Sequence, residues 1–514
     1  MQNLISEGGV FLIVFSLLAL ILSLCFTPLI IKICDKKNIY DGVDERKIHV
    51  GNIPRLGGIA IFTSFILLAI AYSLLNPNFN ILKYWQVILA FFVIYITGLV
   101  DDLFDLRAKL KFALQIVAAL LVATSPFFFS KVFGFSIPSI IGRGAIFCWI
   151  LVCVNAYNMI DGMDLICSGL CGITILVFGI CGYIEGWNLY PLMFILFFSI
   201  LGFMYWNKPN AKIFLGDSGS TTLGFLLAVI PVLDSTNTTF QFNDLFTCVY
   251  IAAIPTIDLC TAIIRRLRDG VPIFSADRAH LHHKLLNIGL AKKQAIFCVL
   301  SIQFYITMLL LFSIFVKQEF NILLYGFGYI VVIGLFIYLH YINLQVNLYN
   351  NGVFDNCSYE YSKKFRARKY FVFVRIPEDD EECTTNYARR IHNFVKRTYF
   401  CFLVLFSWML SSKTGFDDLP LFNGIDIAYS IFYFAVLVFA FSCWFSKKTW
   451  ENHFVRSMII SICVVGLYAF IDELHQFYVP NRHADFKDII FNFIGIMLGA
   501  VIAGFFHKKI RKQS

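Results

Sequence analysis

Polar side chains that suit phosphoryl chemistry lie where long apolar runs end. Asp101 and Asp102 end the third apolar run, Asp217 lies in a glycine-rich loop after the seventh, and His282 and His283 follow the ninth. Mg²⁺ binds through one or two carboxylates together with substrate phosphates, so carboxylates beside glycine-rich turns suit this cation. Histidines next to such a site suit a polyanionic diphosphate. These residue types therefore predict metal-assisted phosphoryl transfer.

The full candidate set lies at corresponding ends of the apolar runs. Its six acids, three asparagines and three histidines are Asp101, Asp102, Asp161, Asp164, Asp217, Asp258, Asn155, Asn158, Asn207, His280, His282 and His283. One carboxylate at a helix end would carry little weight. Ionisable groups near a bilayer are costly and usually mark a site, so this set on one face indicates an active site.

The composition is that of a membrane protein. Of the 514 residues, 59% are hydrophobic and 15% are charged, with a mean hydropathy of +0.73. Soluble domains average about 45–50% apolar and about 25% charged residues. The apolar runs are also long enough to cross a hydrocarbon core of about 30 Å. This composition argues against a soluble enzyme, a secreted disulfide scaffold and a nucleic-acid binder.

Eleven apolar runs precede a polar stretch and four follow it. The runs lie near 10–32, 57–75, 85–100, 112–130, 143–157, 168–185, 190–206, 220–232, 243–264, 295–315, 323–345, 398–412, 426–445, 456–471 and 488–506. We predict an all-α, polytopic membrane bundle of about 11 + 4 transmembrane helices. Its predicted parts are a membrane domain at 1–345, a cytoplasmic linker at 346–397 and a four-helix membrane domain at 398–514.

Lysine and arginine are concentrated in alternate loops. Loops 33–56 and 265–294 are rich in both, whereas loops 76–84, 233–242 and 316–322 carry one basic residue or none. Cytoplasmic loops carry such an excess, which also accounts for the net charge of +9 without a nucleic-acid partner. The pattern predicts an outside N-terminus, a cytoplasmic C-terminus and a candidate site on the cytoplasmic face.

The candidate residues form an ordered series of motifs. In chain order these are Asp44–His49, Pro54–Gly58, Gly98–Asp102 with Lys111, Asn155–Asp164, Asn207–Pro209, Phe214–Ser220, Pro255–Asp258 with Arg265, and Asp277–His283. Through this series residues 1–345 resemble the polyprenyl-phosphate N-acetylhexosamine-1-phosphate transferases. These integral enzymes load the first sugar phosphate onto a bacterial lipid carrier. Each motif alone is weak evidence, whereas the ordered series is specific.

The resemblance implies roles for the matching residues. Asp217 is expected to bind Mg²⁺, with Mn²⁺ as the alternative ion. Asp101 and Asp102 are the expected catalytic pair at the polyprenyl phosphate, where Asp101 accepts the proton. The residues implied to bind substrate are Lys111, Asn158, Asp161, Asp164, Asn207, Phe214, Arg265, His280, His282 and His283. A direct displacement and a phospho-aspartate intermediate both stay open.

The resemblance also implies a reaction and a place. N-acetylhexosamine 1-phosphate, most simply GlcNAc 1-phosphate, passes from a UDP-sugar to undecaprenyl phosphate at the bacterial plasma membrane, and UMP leaves. The product would begin a cell-wall or surface glycan. A lipid-carrier transporter or flippase is the alternative function, and an inactive scaffold is a third. The oligomeric state stays open, with a homodimer among the alternatives.

Two positions leave further questions open. The family usually has glycine after the second aspartate of its DGxD turn, whereas here Asp164 is followed by Leu165. Glycine tolerates a positive φ that leucine adopts poorly, so an altered turn and an altered fit of the sugar are the expected consequences. Asp258 either serves the site or has only a structural role, as a helix cap or as the partner of Arg265.

The last four apolar runs carry a second polar pattern. Its residues are Glu473, Gln476, Arg482, Asp488 and Asn492. They resemble the VanZ-like family, whose signature combines an acidic-x-x-Gln, a Pro-x-Arg turn and an Asp-x-x-x-Asn-x-x-Gly helix. The predicted orientation places the loop between Glu473 and Asp488 outside the cell, where Arg482 is expected to bind a lipid phosphate. A buried polar network that only ties the helices together is the alternative.

Overall fold

The computed structural model describes residues 7–40, 53–76, 79–132, 134–233, 244–268, 270, 272, 280–315, 318–350, 386–411, 425–445, 449–450, 453–476 and 486–512. These residues are almost entirely helical, which confirms the predicted all-α class. The described strands form one short antiparallel hairpin, in which Lys131–Val132 pairs with Phe135–Ser136.

The helices of the first part are α1 (Glu7–Lys37), α2 (Gly57–Leu75), α3 (Trp85–Phe104), α4 (Ala108–Ala123), α5 (Ser139–Ile160), α6 (Ile166–Glu185), α7 (Tyr190–Asn207), α8 (Gly216–Leu233), α9 (Asp244–Ile251), α10 (Ala253–Arg268), α11 (Leu281–Asn287), α12 (Lys292–Ser313) and α13 (Gln318–Asn350). Those of the second part are α14 (Asn386–Ser411), α15 (Ile425–Ser442), α16 (Phe454–Gln476) and α17 (Phe486–Lys512). Eleven described helices are long and apolar enough to cross a bilayer, which confirms a multi-pass membrane protein.

Two of the predicted spans are wrong in detail. The run near 112–130 folds as α4, which has only 16 residues and ends at Ala123, shortly before Pro126. The run near 243–264 is not one helix, because α9 and α10 meet at a bend of 82°. Gln303 of α12 donates a hydrogen bond to the carbonyl of Ile251 at 3.1 Å. Broken helices within a membrane are tolerated where other protein groups satisfy the freed backbone.

The chain divides into two compact units, of which the larger is Gly9–Ala388 and the smaller includes Arg389–Ser514. In the larger unit, α8 is buried among α2, α3, α5 and α6. In the smaller unit, α15 packs closely on α17, where a Cβ at Gly495 would lie 2.5 Å from the carbonyl oxygen of Ile431. Small residues allow such close approach between membrane helices. The predicted linker and domain limits stay predictions, although α14 begins inside the predicted linker.

Candidate active site

Glycines let the N-terminal turn of α8 approach α2 and α3 closely. A Cβ at Gly98 of α3 would lie 2.6 Å from the carbonyl oxygen of Asp217. A Cβ at Gly58 of α2 would lie 2.5 Å from the amide nitrogen of Gly219. Any larger residue at either position would push the helices apart. The start of α8, which carries Asp217, is therefore seated directly on the end of α3, which carries Asp101 and Asp102.

The Asp102 carboxylate caps the N-terminus of α8. Its Oδ1 accepts a hydrogen bond from the amide of Asp217 at 2.7 Å, and its Oδ2 accepts one from the amide of Ser218 at 2.9 Å. The first amides of a helix lack intrahelical partners, and a carboxylate there is also favoured by the helix dipole. Asp102 is only 3% exposed. The structure thus commits both oxygens of this predicted catalytic residue to backbone amides.

Lys111 of α4 joins the other two acids of the predicted catalytic set. Its Nζ donates to Asp101 Oδ2 at 2.9 Å and also contacts the carboxylate of Asp217. Asp101 Oδ1 accepts the amide hydrogen of Leu106 at 2.7 Å, which fixes this carboxylate at the end of α3. The Asp217 side chain is 30% exposed, about twice as much as that of Asp101 or Lys111. The cluster therefore opens to its surroundings through Asp217.

The end of α5 carries two further predicted substrate residues. Asn158 donates from Nδ2 to the hydroxyl of Ser220 at 3.2 Å, which places it against the first turn of α8. Asp161 follows the last residue of α5 and is half-buried. A Cβ at Gly162 would overlap the imidazole ring of His282, so the DGxD turn and the predicted histidines lie in contact.

Asp164 links three segments instead of standing free in a pocket. Its Oδ2 accepts hydrogen bonds from the amides of Asn210 and Ala211 at 3.1 and 3.2 Å. The same oxygen lies 2.7 Å from Nζ of Lys292 on α12, and Asp164 is 4% exposed. The structure thus uses this residue to hold the loop after α7 against α12.

Asn207 holds the other side of the same turn. Its Oδ1 accepts from the amide of Leu165 at 2.9 Å and from the hydroxyl of Ser168 at 3.1 Å, while its Nδ2 donates to the carbonyl of Ile213 at 2.9 Å. Leu165 has φ 65°, in the left-handed region that favours glycine. Leucine thus adopts the glycine-type conformation, which costs an L-residue about 1–2 kcal/mol.

The half-buried Phe214 joins the segment before α2. Its amide donates to the carbonyl of Pro54 at 2.7 Å, and its carbonyl accepts from the amide of Gly57 at 3.0 Å. Arg265, near the end of α10, is half-buried as well. Both residues lie next to the elements of the site.

Asp258 of α10 positions the histidines. Its Oδ2 accepts from Nδ1 of His280 at 2.9 Å, and its Oδ1 accepts from the amide of Leu281 at 2.9 Å. Asp258 therefore fixes the start of α11. The rings of His282 and His283 lie 4.3 Å apart between centroids. Burial, and then its two neighbouring histidines, hold the pKa of His282 well below its usual value.

The exposed side of the Lys111 cluster fits a divalent cation. Among the described residues, no group of three His, Cys, Asp or Glu side chains is arranged to hold a metal ion with protein ligands alone. Mg²⁺ does not require such a group, because it binds through one or two carboxylates and the phosphates of a substrate. Asp217, with its partly exposed carboxylate at a helix start, has the chemistry and the access for that role.

Part of the second polar pattern can be placed in the smaller unit. Asn492 of α17 donates from Nδ2 to Glu473 Oε1 of α16 at 2.9 Å, and both residues are buried. Asp488 lies in the first turn of α17. Gln476 ends α16, but its side chain and the whole of Arg482 lie outside the described residues. The contact between Glu473 and Asn492 is what a helix-tying network would contain.

Several partners in the site carry no signal in the sequence. Lys292 lies far from Asp164 along the chain, and nothing in the spacing joins them. Arg55 belongs to a motif, but its contacts are not predicted: its Nε donates to the carbonyl of Asp102 at 2.9 Å and its Nη2 to Asp105 at 2.6 Å. The sequence offers only residue types here, because the pairing depends on how α2, α3 and α12 pack.

Comparisons with known proteins identify the family. Residues 84–234 match glycosyl transferase family 4, and residues 370–507 match the VanZ/LLP1 family. The chain is 28% identical over 310 residues to the probable undecaprenyl-phosphate N-acetylglucosaminyl 1-phosphate transferase of Bacillus subtilis, covering 59% of this chain and 84% of that protein. It is 30% identical over 263 residues to the undecaprenyl-phosphate alpha-N-acetylglucosaminyl 1-phosphate transferase of Thermotoga maritima, covering 51% and 78%. The protein of the same name from Escherichia coli is 26% identical over 275 residues, covering 51% and 73%. These matches confirm both resemblances, and the chain belongs to glycosyl transferase family 4.

Proposed function

We propose that this protein transfers N-acetylglucosamine 1-phosphate from UDP-N-acetylglucosamine to undecaprenyl phosphate and releases UMP. The names of the relatives support the lipid acceptor and the sugar phosphate. The observation that carries the proposal is the cluster in which Lys111 joins Asp101 and Asp217 at the start of α8. The Lys111 ammonium group lies between the carboxylates of Asp101 and Asp217, and the carboxylate of Asp217 is partly exposed. This arrangement suits a reaction between two phosphate-bearing substrates.

In the proposed reaction an oxygen of the lipid phosphate attacks the phosphorus that carries the sugar. The new P–O bond forms as the bond from that phosphorus to the bridging oxygen breaks, and UMP leaves with the electron pair. When the lipid phosphate enters with one proton, Asp101 accepts it. The lipid phosphate is largely dianionic near neutral pH, so positioning contributes more than proton removal.

The chain's own residues hold the reactants in this scheme. Asp217 is the proposed ligand of Mg²⁺, which when bound supplies positive charge to the phosphoryl oxygens and the leaving group. Lys111 neutralises a second phosphate. The proposed role of neutral His282, which packs on His283 beside the DGxD turn, is to donate hydrogen bonds to the diphosphate or the sugar. Asp164 and Asn207 hold the DGxD turn and the loop after α7 together.

We further propose that the reaction takes place on the cytoplasmic face of a bacterial plasma membrane, as the first step of a wall or surface glycan. The concentration of basic residues in the loops next to the site supports this orientation. UDP-sugars are made in the cytoplasm, which is the side from which the accessible carboxylate of Asp217 would meet them.

The test compares matched substitutions that each remove one charge. Asp101→Asn should keep substrate affinity and lower turnover, whereas Asp217→Asn should also weaken activation by Mg²⁺. Asp35→Asn, which changes an exposed carboxylate near the end of α1, is the control and should change neither. Normal turnover of Asp101→Asn at neutral pH would overturn the proton-accepting role. Normal turnover of Asp217→Asn at low Mg²⁺ would overturn the metal-binding role.

A further inference from the structure

The acids Asp101 and Asp102 are adjacent in the chain, but their surroundings differ. We propose that Asp102 is a positioning residue, which fixes the first turn of α8 and through that turn holds the Asp217 carboxylate at the reacting phosphates. This inference rests on the proposed transfer reaction for its kinetic consequences. The capping role itself is independent of that reaction.

The hydrogen bonds of Asp102 leave little capacity for a substrate. Each carboxylate oxygen accepts a backbone amide of α8, at 2.7 and 2.9 Å, and the residue is 3% exposed. A group that received a proton from a lipid phosphate, or bound a metal ion, would need an oxygen that reaches the reactants. Asp101 and Asp217 meet that requirement better, because their side chains are 16% and 30% exposed.

The backbone around Asp102 is built to receive the helix start. Gly216 has φ 75°, and a Cβ there would overlap the carbonyl oxygen of Arg55 and lie 2.7 Å from Oδ2 of Asp102. Arg55 donates from Nε to the carbonyl of Asp102 at 2.9 Å, which anchors the same residue from the segment before α2. A side chain at position 216 would displace the Asp102 carboxylate. The glycine therefore leaves the space in which this carboxylate caps the helix.

The consequence for catalysis follows from the place of Asp217 in α8. It is the second residue of the helix, and its own amide is one of the two that Asp102 holds. If the first turn loosened, the Asp217 carboxylate would move relative to Lys111 and Asp101. A misplacement of about 1 Å can cost about 100-fold in rate even when the substitution does not touch the reacting atoms.

The same geometry bears on where the substrate phosphates bind. Free amides at a helix N-terminus form an anion site. In α8 the amides of Asp217 and Ser218 already bind a carboxylate of the protein, so they are not available to a phosphate. The proposal therefore leaves binding of the diphosphate to side chains and the metal ion.

Amide hydrogen exchange tests the capping role without any substrate. Full-length protein in detergent is compared as wild type, Asp102→Asn, Asp102→Ala and the control Asp35→Asn, with exchange read on peptides covering 215–221. Asp102→Asn keeps one acceptor oxygen, so we expect exchange to accelerate about tenfold, and about 100-fold or more in Asp102→Ala. If Asp102→Ala fails to fold, Asp102→Asn alone decides. Unchanged exchange in the asparagine variant would overturn the proposal.

Kinetics on the same proteins separate positioning from direct action on the acceptor. We expect kcat to fall about 100-fold in Asp102→Ala and to be partly rescued in Asp102→Asn, with the KM for undecaprenyl phosphate changed less than twofold. Across these variants, the Mg²⁺ concentration for half-activation should rise together with the amide exchange rate of residues 215–221. A raised KM for the lipid without faster exchange would place Asp102 on the substrate instead. If the wild type transfers no sugar phosphate, the proposed function fails while the exchange result still stands.

Discussion

Removal of the Asp258 carboxylate should release the start of α11 and the histidines that follow it. Asp258 is 1% exposed and accepts two hydrogen bonds at 2.9 Å, from Nδ1 of His280 and from the amide of Leu281. These donors belong to residues that are 6% and 1% exposed, so water does not readily replace the carboxylate. The effect of the substitution should therefore be large and local.

The magnitude follows from the number of donors left without an acceptor. Each buried donor that loses its partner costs about 1–3 kcal/mol. Asp258→Ala strands both, which gives about 2–6 kcal/mol, whereas Asp258→Asn keeps one carbonyl oxygen and should cost about 1–3 kcal/mol. The neighbouring exposed Cys260 provides the control, because Cys260→Ala removes a side chain of the same helix without touching this pair.

The assay combines apparent melting temperature in detergent with KM for the UDP-sugar. We expect stability to decrease from wild type and Cys260→Ala through Asp258→Asn to Asp258→Ala. KM should increase in the same order, because the displaced histidines are the proposed contacts of the UDP-sugar. Equal stability and KM in Asp258→Ala and Cys260→Ala would refute the view that this buried carboxylate holds the histidines.

Two further predictions concern strain and protonation. Leu165→Gly should be more stable than Leu165→Ala by about 0.5–1 kcal/mol, because glycine relieves the strain of the positive φ but loses more backbone entropy on folding. Chemical denaturation measures the free energy of unfolding of both variants. A more stable alanine variant would contradict the strained turn. His282 has a lowered pKa in the folded state, so the unfolded chain takes up the proton first and stability should fall as pH drops through about 6.5. Melting temperatures between pH 5.5 and 7.5 should fall more for the wild type than for His282→Phe, and parallel curves would argue against this titration.

The sequence predicts the membrane helices well because hydropathy and span length are local properties. One of its two failures coincides with a tertiary contact, and the other is local. At the bend between α9 and α10, the Gln303 amide donates to the carbonyl of Ile251 from another helix, a contact that no local pattern in the sequence reveals. The early end of α4 is a local feature near Pro126, but the long apolar run conceals it.

In the candidate site, too, the sequence predicts local features and misses those that depend on tertiary packing. Residue types and motif order identify Asp101, Lys111 and Asp217, which the structure brings together. Residue types and motif order do not distinguish an acid that contacts the reactants from one that only fixes neighbouring backbone segments. Asp102 and Asp164 differ from Asp101 in burial and in the groups that surround them, and packing between distant segments determines both.

The central claim is tested most directly by following both products of one reaction. Purified protein is incubated with undecaprenyl phosphate, Mg²⁺ and each of a panel of radiolabelled UDP-sugars, with Asp217→Ala as the blank. We predict that UDP-N-acetylglucosamine gives UMP and a lipid-linked sugar in equal amounts, and that omission of the lipid phosphate abolishes both. Release of UDP in place of UMP, or no product from any donor while the folded wild type is present, would contradict the account.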